Sequence, residues 1–344
     1  MERVDRADAV GRRLAHDVTQ VVPGERKRVF LRRGDTILRE HLETLADMGK
    51  EHLVVLDEGE ELGAAQGVHE NDAAALLAAA VAGTGLEIAR PVEGKCDLLS
   101  AVDGLFLADR GVVDELNRAA VGQAAVITRP SGAPVRAGER VALARIFPAR
   151  LPDAAARRLA AAPPALAVYA FRSVRAGVVV TGAEVLAGRV ADAFGPLLTT
   201  KLAEYGSTVA QVRLVGDDPE AIAAALGELV GAGCELLFAT GGMAVDADDV
   251  TQAAIRRAGA EVRFAGVPMQ PATLLLFATL GGVPLFGVPA GVLYDPYSAL
   301  DRLLPYVLAG RLPTADDVLA MGVGGMLGAG VGHGRPAAAT RHGH

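Results

Sequence analysis

Between residues 173 and 312 the chain repeats one rhythm. Short apolar runs, VVVTG at 178–182, TVAQVRLVG at 208–216 and ELLFATGG at 235–242, alternate with helix-patterned segments, FGPLLTTKLAEYG at 194–206, PEAIAAALGELVGAG at 219–233 and DDVTQAAIRRAG at 248–259. Strand followed by helix followed by strand predicts parallel pairing, because each helix carries the chain back over the sheet before the next strand begins. The expected architecture is α/β, a three-layer domain with helices on both faces of a parallel sheet. Hydrophobic residues make up 51% of the chain but aromatics only 4%, so small side chains must let helices pack closely on the sheet. ATLLLFATLGGVPLFGVPA at 272–290 reads as paired strands and DPYSALDRLLPYVLAG at 295–310 as a final helix.

In an open parallel sheet, ligands collect beyond the carboxyl ends of the strands, where loops and helix starts converge. Four such ends carry candidate residues: Thr181, Gly182 and Glu184 after the first strand; Asp217 and Asp218 after the second; Thr240, Gly241, Gly242 and Asp249 after the third; Gly287, Pro289 and Gly291 after the last. The pair Gly241-Gly242 lets backbone amides approach an oxyanion, and a helix start favours negative charge. Asp217, Asp218 and Asp249 are the candidates for Mg²⁺, which takes one or two carboxylates together with phosphate oxygens. The structural alternative stays open beside this reading. Gly-Gly makes turns, Asp248 suits a helix N-cap, and Asp218-Pro219 is an ordinary helix opening.

The preceding sequence divides into a small α+β module at 1–60, a β-rich domain with a leading helix at 61–150 and a linker helix at 151–172. In the leading helix, ENDAAALLAAAVAG, Asn71 or Asp72 is the expected N-cap and Gly83 the exit. From 85 to 150, turn signals at strand spacing predict strands. The HEND stretch makes His69 and Glu70 secondary acid–base or metal candidates, although adjacent positions diverge on helix and strand alike. GERKRVFLRRG at 24–34 concentrates basic residues that suit a solvated strand face or an anionic partner. The tail at 313–344 is expected to be disordered after about residue 328, for want of apolar periodicity.

A formal charge of −7 argues against a nucleic-acid partner, since counterion release needs a concentrated basic surface. Cys96 and Cys234 stand far apart, outside any metal or redox spacing, and read as buried apolar residues. With no long apolar window and no apolar leader at its charged start, the expectation is a cytoplasmic protein without a membrane partner.

VVVTGAEVLAGRVADAFGPLLTTKLAEYG, VGDDPEAIAAAL, ELLFATGGMAVDADDVTQAAI and VPLFGVPAG resemble, in matching order over about 170–310, the molybdopterin-binding domain shared by molybdopterin adenylyltransferases and molybdotransferases. The resemblance implies that Gly241, Gly242 and Asp249 hold the pterin phosphate or its nucleotide, with Thr251 closing the motif. It assigns Glu184 to the first loop's acidic position, with Asp249 beside it in catalysis, and Asp217 and Asp218 to metal or substrate binding. AVGRRLAHDVTQ and RRGDTILREHLETLADMGKEHLVVL are similar to segments of the molybdotransferases, in an order closer to the bacterial molybdopterin-binding proteins.

The implied function is molybdopterin binding in molybdenum cofactor biosynthesis, modification or delivery. Molybdopterin or its nucleotide form and Mg²⁺ are the implied ligands, molybdate a co-substrate, a molybdoenzyme the client and a homo-oligomer the assembly. An enzyme of this kind would be a Mg²⁺-dependent molybdotransferase or adenylyltransferase-like transferase. The alternatives are a non-catalytic carrier or sensor, and a nucleotide pyrophosphatase like the competence-damage-inducible proteins, which use a similar domain. Ala183, Ala244, Asp246 and Ala290 depart from the family's pattern, and PMQPAT lacks the lysine of its P-G-K-P loop. A missing cation or donor weakens transition-state stabilisation first, so binding tolerates these changes better than turnover.

Overall fold

The computed structural model describes residues 2–20, 28–56, 67–243 and 250–323. The chain forms two compact units. One comprises residues 1–99, 108–129 and 138–167, the other residues 100–107, 130–137 and 168–344.

The second unit is built on a six-stranded sheet of β1 (Arg175–Thr181), β2 (Thr208–Val215), β3 (Leu236–Thr240), β4 (Glu261–Ala265), β5 (Leu276–Leu280) and β6 (Val283–Val288), in the order β2-β1-β3-β6-β5-β4. Pairs β2-β1, β1-β3 and β3-β6 are parallel, while β5 runs antiparallel to both β6 and β4. The reversal is local. Gly281 and Gly282, at φ 57° and 84°, close a two-residue hairpin between β5 and β6, a turn whose twist suits adjoining antiparallel strands. The expected α/β class is present, with β5 the strand that departs from a wholly parallel sheet.

Both faces of this sheet are covered, as the near-continuous apolar strands require. Along β1, Val178 and Val180 face a core shared with Leu198 and Leu202 of the helix Phe194–Ala203 and Leu300 and Leu303 of the helix Ala299–Leu308. Val179, between them, faces the opposite core with Ile222 and Leu226 of the helix Pro219–Gly231 and Ala254 and Ile255 of the helix Val250–Arg257. Strand β2 alternates exposed and half-buried residues, as an edge strand does. Phe238, Phe277 and Phe286 are fully buried, each contributing about 1.5–3 kcal/mol of transfer free energy.

In the first unit, antiparallel pairs Glu2–Asp5 with His52–Val55 and Val18–Gln20 with Arg28–Leu31 accompany the helix His41–Asp47. Leu14, Ile37, Leu45 and Val55 form its core. A four-stranded sheet follows, in the order Leu86–Ile88, Lys95–Ser100, Arg140–Ile146, Ala124–Thr128. Two local expectations change. The N-cap of the helix Glu70–Val81 is His69, whose Nδ1 accepts the Asn71 amide at 3.1 Å, rather than Asn71 or Asp72. The stretch read as strands and turns contains the helix Arg110–Ala119, capped by Asp109, whose carboxylate accepts the Val112 amide at 3.1 Å. An imidazole acceptor and a ten-residue helix flanked by turn signals both escape pattern rules built on hydroxyls, carboxylates and long apolar periods.

Candidate functional site

The carboxyl ends of β1 and β3 are stitched together by threonines. Thr181 Oγ1 donates to the Thr240 carbonyl at 3.0 Å and lies 3.3 Å from Thr251 Oγ1 at the start of the helix Val250–Arg257. Thr240 Oγ1 donates to the Val179 carbonyl at 3.4 Å. All three side chains are buried. Their hydroxyls therefore hold the strand ends in register, and Thr240 and Thr251 do so from outside the cavity described below.

Gly241 is required by contact as well as by conformation. Its φ is +85°, and a Cβ there would stand 2.6 Å from both the Thr181 carbonyl oxygen and Thr181 Oγ1. Any side chain would push the two strand ends apart. Gly287 has a different neighbour, since a Cβ on it would meet Met243 Cε at 2.7 Å. Met243 thus lays its thioether on β6, and Gly287 makes room for that side chain.

Above these ends lies a cavity of about 470 Å³ lined by Thr181, Glu184, Gly241, Gly242, Pro289 and Gly291 among the residues expected from the sequence. Val185, Val190, Asp192, Phe194, Met243 and Leu293 complete much of the wall, and sequence reasoning had not singled them out. Asp192 left a signal. Its Oδ1 accepts the amides of Phe194 at 2.8 Å and Gly195 at 3.1 Å, the Asx turn expected where an aspartate stands two residues before a helix. Glu184 folds back toward the strand end, its Oε1 2.9 Å from where a Gly182 Cβ would lie.

Other expected residues stand apart from this cavity. Asp217 Oδ2 accepts the Ala183 amide at 2.9 Å and so ties the second loop to the first. Asp218 caps the helix Pro219–Gly231, its Oδ1 accepting the Glu220 amide at 3.2 Å. Among the described residues there is no cluster of three or more histidine, cysteine or carboxylate side chains that suits a metal ion. Asp249, with Ala244, Asp246 and Asp248, lies outside the described residues, as does the tail after 323 on which the disorder expectation falls. Residues 24–27 of the basic stretch are outside them too.

His69 and Glu70 fall in the other unit. His69 is buried, its Nε2 has no hydrogen-bond partner among the described residues, and its pKa is pushed down to about 4, first by burial and then by Arg33. Burial pushes the Glu70 pKa up, with Arg145 opposing it. Cys96 and Cys234 are free thiols, both buried. Among the described residues no helix is long and apolar enough to cross a membrane.

Comparison with known proteins meets this geometry at the same strands. Residues 177–309 match the family described as the probable molybdopterin binding domain, and residues 3–57 match a domain of unknown function. A CinA-like protein of Mycolicibacterium vanbaalenii is 46% identical over 85 residues, which is 25% of this chain and 20% of that protein. The match thus spans one fifth of the curated relative's length. Among solved structures, the molybdopterin biosynthesis enzyme MoaB of Thermus thermophilus is 17% identical over 40% of this chain and 98% of its own, with a TM-score of 0.32. The molybdopterin biosynthesis MoeA protein of Pyrococcus horikosii is 15% identical over 90% of this chain and 74% of its own, with a TM-score of 0.34. The cavity at the carboxyl ends of the parallel strands thus lies largely within the matched region. Residues 177–309 belong to the molybdopterin-binding domain family.

Proposed function

We propose that this protein binds molybdopterin or its nucleotide form in the cavity over β1 and β3, and acts in the assembly, modification or delivery of the molybdenum cofactor. The observation that carries the reading is the seat of Gly241 on Thr181, inside the matched family region. It keeps a glycine-lined, concave wall open at the strand ends, where such sheets bind ligands. In this reading the protein works as a cytoplasmic homo-oligomer, with molybdate as co-substrate and a molybdoenzyme as client.

Binding is better supported than turnover. Ala183 and Ala290 remove polar or glycine positions, and PMQPAT has no lysine. Asp217 and Asp218 already accept backbone amides, and the described carboxylates form no metal cluster. Asp249, the third candidate for Mg²⁺, lies outside the described residues, so no step is routed through that ion. Glu184 and the Gly241-Gly242 backbone are the groups assigned to ligand contact.

Titration with molybdopterin and its adenylylated form, with and without Mg²⁺ and molybdate, tests the proposal. Binding without conversion supports a carrier, and conversion supports a transferase. No binding to either form overturns the reading. A second reading, a nucleotide pyrophosphatase, is favoured by the 46% identity to a CinA-like protein. Hydrolysis of a nucleotide pyrophosphate, lost on substituting Glu184, would bring it to the front.

A further inference from the structure

The described wall of the cavity is charged in one sense. Glu184 and Asp192 line it, and among the described residues no lysine or arginine does. A phosphate group entering this wall would exchange water for facing carboxylates, with no lysine or arginine of the described wall to offset the loss.

The two carboxylates are not equivalent. Asp192 is occupied, each of its oxygens accepting a helix-start amide. The Glu184 carboxylate has no hydrogen-bond partner among the described residues, and it closes over Gly182 at the cavity wall. A free carboxylate offers two parallel acceptors, which suit a planar group presenting adjacent N–H and NH₂ donors. The remaining wall suits a flat ring: Val185, Phe194, Met243 and Leu293 line it, and an aromatic face with aliphatic neighbours favours stacking.

We infer that this cavity reads the uncharged, donor-bearing ring of its ligand through the Glu184 carboxylate, and that the ligand's phosphate stays outside the described wall. The inference rests on the molybdopterin reading and deepens it. Glu184 becomes the residue that determines specificity for the ring, in place of a phosphate contact.

The test is binding in the presence of chelator, with hydroxymethylpterin as the phosphate-free probe, inorganic phosphate and pyrophosphate as competitors, and molybdopterin in parallel. Hydroxymethylpterin is expected to bind and to resist displacement by millimolar phosphate. Glu184→Gln, which turns one acceptor into a donor on an exposed side chain, should weaken it by about tenfold or more, with an unchanged thermal transition certifying the fold. Displacement by phosphate, or equal affinity in Glu184→Gln, overturns the inference. If molybdopterin binds and hydroxymethylpterin does not, the ring reading fails and the molybdopterin reading stands. If neither binds, both fail.

Discussion

At the strand ends of the α/β unit, the buried hydroxyls of Thr181, Thr240 and Thr251 all have hydrogen-bond partners. In the first unit, Thr19 Oγ1, His69 Nε2 and Arg150 Nε are buried without a partner among the described residues. A buried polar group left unpaired costs about 1–3 kcal/mol. The α/β unit thus pairs the buried hydroxyls that fix its strand ends, whereas three buried polar atoms of the first unit stand without a described partner. The sheets differ in the same direction. One is a regular strand-helix repeat, the other an assembly of short antiparallel pairs drawn from separated segments.

Core truncation breaks the regular unit hardest. Phe238 is fully buried and stacks against Phe286 at 5.9 Å, so Phe238→Ala should lower unfolding free energy by about 3–5 kcal/mol in a urea titration. A loss below about 1 kcal/mol would mean that this core collapses around the gap.

Glycine substitution separates the units next. Gly241→Ala meets the Thr181 backbone at 2.6 Å and is expected to cost about 3 kcal/mol and to abolish ligand binding. Gly49→Ala, at φ +68° with nothing within 4 Å, should cost only about 1 kcal/mol. Equal losses would remove the claim that close approach, not conformation alone, sets the demand at Gly241.

Acid sharpens the contrast from the other side. Folded His69 has a pKa of about 4 against an ordinary value of 6.5. Between those values the unfolded chain binds more protons, so stability rises with pH there, complete above the ordinary value and lost as pH falls toward the folded one. The loss between pH 7 and pH 5 should be about 2 kcal/mol. His69→Asn, which keeps an acceptor for the Asn71 amide, should flatten that slope in paired urea titrations; an unchanged slope would assign it to other groups.

The smallest effect is a gain. Ala272 sits at φ +73°, a conformation that costs a residue with a Cβ about 1–2 kcal/mol. Ala272→Gly should raise stability by about 0.5–1 kcal/mol after the entropy of glycine is counted, read as a higher denaturant midpoint. A lower midpoint would show that the Ala272 methyl, close to Gly291, packs to advantage.

The site was legible in the sequence by position more than by role. Thr181, Glu184, Gly241, Gly242, Pro289 and Gly291 line the cavity as strand-end logic expected, because period-two and helical patterns locate strand ends directly. Gly287, Thr240 and Thr251 belong to the packing beneath it. Asp217 and Asp218 bond to backbone amides. Asp192 and Phe194 were missed, because a capping aspartate and a helix-start aromatic look the same whether or not a cavity stands over them.

By itself the sequence determined the α/β class, the covered faces of the sheet and the loops that gather at its carboxyl edge. Side-chain period and connection length are local properties, and they leave few ways to bury such strands. Tertiary structure alone decided that β5 runs antiparallel, that Gly241 rests on Thr181, that Met243 fills the space over Gly287 and that Glu184 keeps a carboxylate without a partner among the described residues. Each of these depends on which chain segments meet across the sheet, and residues distant in sequence carry no local mark of their future neighbours.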